Sequence, residues 1–154
     1  GAVVTDLKTG EAVMFDKGNT GMAVRASSAV PSVFQPVKIG AKTYVDGGLV
    51  APVPVKFTRD KMGADFVIAV NISTQADTQA TVSSLDVLMQ TFSIMGQRLN
   101  HFELKEADIV ITPALGKMGS ADFQGRNLAI LAGEQAAAAV MPQIKAKLAA
   151  KQRP

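Results

Sequence analysis

Residues 37–48, VKIGAKTYVDGG, fix the first part of the fold and hold the chemically most suggestive group in the chain. Val37-Lys38-Ile39 and Thr43-Tyr44-Val45 are short strand-forming runs on either side of Gly40-Ala41-Lys42, a pattern that predicts a hairpin. The second strand runs directly into Asp46-Gly47-Gly48. A carboxylate at a strand end, followed by two residues without side chains, is accessible, and paired glycines let a substrate or another backbone approach closely. Taken alone, Asp-Gly-Gly more often makes a turn and nothing else.

Working outward, residues 2–15 (AVVTDLKTGEAVMF) hold two apolar runs split by Lys8-Thr9-Gly10, which reads as strand, turn, strand. A short helix is expected from about Thr20 to Ser28, stopping before Pro31 because the residue ahead of a proline disfavours helical geometry. A second short helix should follow Pro54 and stop at Gly63. Residues 64–72 (ADFVIAVNI) form a continuous apolar run that suits a central strand buried on both faces. A long helix from Ser83 to about Glu106 places Leu85, Leu88, Phe92, Met95, Leu99 and Phe102 on one face. Asp108 to Thr112 is a further strand, and an alanine-rich helix from about Gly125 to Lys151 closes the chain with a basic end. Strands alternating with helices predict an α/β layered fold around a mixed, mostly parallel sheet, within one domain or part of one.

The wider block changes the weight of Asp46. Arg25-Ala26-Ser27-Ser28-Ala29-Val30-Pro31, then Phe34, Pro36, Val37, Gly40, Tyr44-Val45-Asp46-Gly47-Gly48 and Pro52-Val53-Pro54-Val55, resemble the second signature of the patatin-like phospholipases, a family of lipid acyl hydrolases. The resemblance extends upstream through Thr5-Asp6-Leu7 and Thr9-Gly10-Glu11, and downstream through Gly63-Ala64-Asp65 and the strand Val67 to Val70. It implies a three-layer α/β fold and a serine acyl hydrolase working through a Ser-Asp dyad. In that arrangement the aspartate of the D-G-G motif takes the proton of a serine on a G-x-S-x-G elbow, and a glycine-rich loop holds the oxyanion. Asp46 matches the aspartate. Gly47 and Gly48 shape its turn, and Arg25 and Ser27 lie in the same signature near it.

The sequence contains no G-x-S-x-G and no glycine-rich oxyanion loop; its only adjacent glycines are Gly47 and Gly48. The expectation is therefore the C-terminal portion of a single patatin-like hydrolase domain, inactive without the nucleophile-bearing segment. The rival reading is a non-catalytic module that binds a lipid or a protein. Ser27 and Ser28 lack flanking glycines, so capping or packing suits them better than nucleophilic attack, and Ser120 after Gly119 lacks the elbow as well. Arg25 could meet a headgroup phosphate or orient the Asp46 loop, but a structural salt bridge is the simpler role.

Composition narrows the field further. Hydrophobic residues make up 47% and charged residues 19% of 154, which fits a packed globular chain. The net charge of +3 comes without a dense basic block, so nucleic acid is not an expected partner. The Lys145, Lys147, Lys151 and Arg153 run suits the end of a helix, where cations complement its dipole. Cysteine is absent, which removes thiol chemistry, and the single histidine, His101, reads as a surface or boundary residue. Asp6, Asp16, Asp46 and Asp65 are too dispersed to suggest a metal site, and neither metal nor organic cofactor is implied. The expected partners are the segment carrying the nucleophile and a lipid or ester substrate, with peripheral membrane contact. No stretch reaches the length of a membrane span, so a cytoplasmic or peripheral location is expected over an integral one. The stripe on the long helix has two readings, an acyl-chain tunnel or ordinary core, and core is the commoner.

Overall fold

The computed structural model describes residues 1–73, 83–116, 118–119 and 122–151; Ser120 and Arg153 lie outside them. The elements run β1 (Ala2–Asp6), β2 (Ala12–Phe15), α1 (Thr20–Ser27), β3 (Val37–Ile39), β4 (Lys42–Asp46), β5 (Ile68–Val70), α2 (Ser84–Glu103), β6 (Ile109–Ile111) and α3 (Arg126–Lys151). A 3-10 turn over Gly47–Leu49 follows β4, and a π-type turn over Phe57–Lys61 precedes β5.

The two hairpins read from the sequence are both present. β1 and β2 pair antiparallel, and the bend between them is held by Asp6, whose carboxylate accepts from Lys8 N at 3.0 Å and Thr9 N at 3.3 Å. β3 and β4 pair antiparallel across Gly40, which takes φ +62° in a region open to glycine at little cost. β1 then pairs with β4, giving a four-stranded sheet of order β2-β1-β4-β3. α1 starts under an Asn19 cap, whose side chain accepts from Met22 N at 3.0 Å. Ala26 of that helix joins Val4, Ala29, Val37 and Tyr44 in a core under the sheet, with Phe15 edge-on to Tyr44 at 5.1 Å.

A second pair of strands, β5 and β6, runs parallel. α3 covers β6, with Ile144 among Ile109 and Ile111, while Val55, Val67 and Ala69 form a neighbouring cluster. Arg59 ties this region together: its guanidinium donates to Asp108 Oδ2 at 2.7 Å and to the Glu106 carbonyl at 2.9 Å. Lys147 and Lys151 turn their ammonium groups onto the backbone carbonyls of Asp108 and Asp65. The basic end of α3 thus fastens the helix to the strand ends beneath it.

Three expectations are corrected. The architecture is mixed α/β, but the sheet is not mostly parallel: among the described residues three strand pairings are antiparallel and one is parallel. Antiparallel pairing prevails because hairpins and a single return strand build the larger sheet, whereas parallel pairs need a crossover. The run at 64–72 is a strand only over Ile68–Val70, and it is not buried on both faces, since Ile68 and Val70 are 43% and 51% exposed. Finally, the predicted inner stripe of α2 is largely outside; Leu85, Met95 and Phe102 are all more than half exposed, and Asn100 is the buried residue of that helix. The helix touches the rest of the fold mainly at the Gly47–Leu49 turn and leaves a hollow beside it, so its apolar residues have no continuous core to enter.

Candidate functional site

Asp46 is the last residue of β4, and its backbone is fixed on three sides. It pairs with Val4 of β1, its N–H donates to the Ala29 carbonyl at 3.0 Å, and its carbonyl accepts from Thr5 Oγ1 at 2.8 Å. The chain then turns into the 3-10 segment, and Asp46 Oδ1 accepts from Gly48 N at 2.6 Å. One carboxylate oxygen is thereby held and the other makes no hydrogen bond among the described residues. Half-burial pushes the Asp46 carboxyl above its ordinary value of 3.8, and the Gly48 N–H opposes that rise in part.

The two glycines do different work. A Cβ on Gly47 would overlap the Val3 carbonyl oxygen, so the turn can pack against β1 only without a side chain. A Cβ on Gly48 would stand 2.9 Å from Asp46 Oδ1, inside the space the carboxylate needs to accept its hydrogen bond.

Asp46 and Gly48 open onto a cavity of about 480 Å³, within the range of roughly 300–1,000 Å³ usual for small-molecule sites. Val30, Pro31, Leu49 and Pro52 form one wall, and Met89, Phe92, Met95 and Gly96 of α2 form the other. Ser73, Ser93 and Gln97 add polar atoms at the lining, leaving Asp46 its one acidic group. The arrangement can hold an apolar chain with a polar, uncharged head beside a carboxylate that is a somewhat stronger base than usual.

The other residues singled out in the sequence fall around this site and not in it. Ser27 donates its hydroxyl to the Val3 carbonyl at 2.7 Å, and Ser28 to the Val24 carbonyl at 2.7 Å, so both hydroxyls serve the backbone. Arg25 is exposed and is not part of the cavity wall, and it makes no ion pair among the described residues. His101 is exposed beside Phe102, edge-on at 5.6 Å.

Of the α2 stripe, Phe92 and Met95 reach the cavity and the other four predicted members do not. Met89 and Gly96 were missed. A glycine in the interior of a long amphipathic pattern was the signal for one of them, since it weakens a helix without an evident reason. The buried carboxylate of Asp6 was legible only as part of the resemblance. It pairs with Lys42 Nζ at 2.9 Å, and that lysine beside it, with the Lys8 and Thr9 N–H groups, holds Asp6 below the usual carboxylate range.

Residues 4–58 match the family model for patatin-like phospholipases. Uncharacterized NTE family proteins of Mycobacterium bovis and Mycobacterium tuberculosis are each 38% identical over 72 residues, which is 47% of this chain and 20% of the relative. A second uncharacterized NTE family protein of Mycobacterium bovis is 25% identical over 166 residues, covering 91% of this chain and 28% of the relative. The chain therefore spans a fifth to just over a quarter of the length of these relatives. The match over residues 4–58 and these relatives make the chain similar to the patatin-like phospholipases over the part that holds Asp46.

Proposed function

We propose that this chain supplies the general base and the apolar cavity beside it to the substrate site of a serine lipid acyl hydrolase. The observation that carries the reading is Asp46 itself: a half-buried carboxylate, one oxygen pinned by Gly48 N–H and the other without a hydrogen bond among the described residues, facing an apolar cavity. A serine hydroxyl is a poor nucleophile until a base within hydrogen-bond reach removes its proton. In the proposed reaction Asp46 takes that proton as the serine oxygen bonds to the ester carbonyl carbon. The proton then passes to the departing alcohol as the carbon–oxygen ester bond breaks, leaving an acyl-serine. Water gives a proton to the same carboxylate as it attacks the acyl carbon, and that proton returns to the serine oxygen as the acyl–serine bond breaks, releasing the fatty acid and the free serine.

The nucleophile belongs to a segment with the G-x-S-x-G elbow, which this sequence does not contain. The exposed apolar side of β5 (Ile68 and Val70, with Ile72 beyond them) supports a further segment packing there. No helix among the described residues is long and apolar enough to cross a membrane, and the proposed encounter with lipid is at a surface.

The test is labelling by a fluorophosphonate, with the protein and any companion peptide resolved by intact mass. A single adduct on a G-x-S-x-G serine, lost in Asp46→Asn, supports the reading. Labelling that persists at an undiminished rate in Asp46→Asn would remove Asp46 from the reaction. A complete natural product that takes up no label would point to a binding role instead.

A further inference from the structure

We propose that Gly96 sets the length of acyl chain that the cavity accepts, by leaving bare the part of α2 that faces Pro52. The inference rests on the reading of the cavity as an acyl-ester site, and goes beyond it by naming the residue that measures the chain.

Gly96 lies in the interior of the 20-residue helix α2, where glycine is less favourable than alanine because the backbone loses more freedom and nothing is packed in return. The fold does not demand it. Gly96 is not among the glycines with positive φ, and an added Cβ would meet nothing nearer than Pro52 Cγ at 3.8 Å, an ordinary contact. Gly47 is the contrast, since there the backbone of β1 leaves no room for a side chain. What Gly96 does provide is space: it lines the cavity, on the same helix face as Met89, Phe92 and Ser93, one and two turns before it.

The direction of the chain follows from the lining. Asp46 stands at one side of the cavity as its acidic group, so an ester carbonyl belongs there and a fatty-acid carboxylate is disfavoured by like charge. The tail then runs along α2 over apolar atoms. A side chain at position 96 would occupy volume that the distal methylenes of a long tail use, and a short tail would not miss it. Each methylene denied burial weakens binding severalfold.

The test measures binding of two non-hydrolysable ester mimics, methyl hexyl ketone and methyl tetradecyl ketone, to the whole natural protein and its variants. In Gly96→Leu the preference for the long ketone over the short one should fall by about tenfold or more, and in Gly96→Ala by about threefold. The alanine variant should melt no lower than the parent, which keeps the test meaningful if leucine disturbs the helix. Equal weakening of both ketones, or no change in either, overturns the proposal. Because binding is read without turnover, its outcome is separate from that of Asp46. Lost labelling in Asp46→Asn with no ketone split sinks Gly96 alone, and a ketone split with undiminished labelling in Asp46→Asn sinks the general base alone.

Discussion

Ser27 and Gly47 meet on a single atom, the carbonyl oxygen of Val3. The serine donates its hydroxyl to that oxygen at 2.7 Å, and the glycine packs its α-carbon against the same carbonyl with no room for a Cβ. One strand carbonyl therefore locates both the end of α1 and the turn that aims Asp46. Gly47→Ala should disturb β1 or the turn at a cost of about 1–3 kcal/mol, the usual penalty for overpacking, and should lower any Asp46-dependent activity with it. Ser27→Ala should cost less, about 1 kcal/mol for one lost hydrogen bond, and should leave fluorophosphonate labelling in place. Thermal unfolding and labelling of the two variants side by side check both statements.

Asp46 and Asp6 are shifted in opposite directions from the ordinary carboxylate value, and each shift has a cause in the fold. Half-burial raises Asp46, whereas Lys42 and two backbone N–H groups lower Asp6. Under the proposed reaction, divergent environments of this kind would separate a reactive carboxyl from a structural one. In the proposed reaction Asp46 must be ionised to accept a proton, so the acid limb of the rate profile should have its midpoint above 3.8. For stability, a carboxyl whose folded value is raised favours the fold below 3.8 and loses that contribution as pH rises through the raised value. Asp46→Asn should thus gain on the parent in melting temperature over that rise, while catalysis is lost. A variant that melts lower than the parent at neutral pH would contradict this account of the site.

Asp6 predicts the reverse slope. Its folded value is lowered, so its contribution to stability is present above 3.8 and disappears as pH falls through the lower, folded value. Lys42 is the first cause of that shift, at 2.9 Å. Lys42→Met should therefore be less stable than the parent at neutral pH. The gap in melting temperature between the two should narrow as the solution is acidified through the Asp6 titration. A gap independent of pH would mean that Lys42 contributes packing and not charge.

What could be read in the sequence, and what could not, divides along the range of the interactions. The turn between β1 and β2, the β3–β4 hairpin and the Asp46 turn are local, and their glycines and strand-forming runs announce them. The pairing of β1 with β4, which turns a pair of hairpins into a sheet, joins distant residues and has no local signature. The continuous apolar run around β5 suggested burial on both faces, yet Val67 and Ala69 are covered while Ile68 and Val70 are not, because apolarity records what a strand can face and not what does face it. α2 failed in the same way. Its apolar residues are spread around more than one face, so periodicity selected a stripe while the turn at Gly47–Leu49 and the hollow beside it selected another. Asp46 was legible through its motif, but the cavity was not, since its two walls come from segments far apart in the chain.

Arg59 shows how the second half of the fold is joined to the first, and it gives the last prediction. Its guanidinium reaches Asp108 Oδ2 at 2.7 Å and the Glu106 carbonyl at 2.9 Å from a turn that follows the Pro52–Pro54 segment bordering the cavity. Asp108 in turn accepts from Val67 N at 2.8 Å, so one carboxylate is shared between the entrance of β5 and the π-type turn. The Val67 N–H, with Arg59 beside it, holds Asp108 below the ordinary carboxylate range. Arg59→Ala leaves the Glu106 carbonyl without this donor and Asp108 without its counter-charge. The pair is partly exposed, so solvent screens it, and a loss of about 1–2 kcal/mol is expected. Arg59→Lys keeps the charge but not the planar fork, in which Nη2 serves Asp108 and Glu106 while Nη1 reaches the Asp65 carbonyl at 3.4 Å, and it should recover less than half of that loss. Chemical denaturation of the parent and both variants reads these differences directly. Full recovery in the lysine variant would show that charge alone holds the junction.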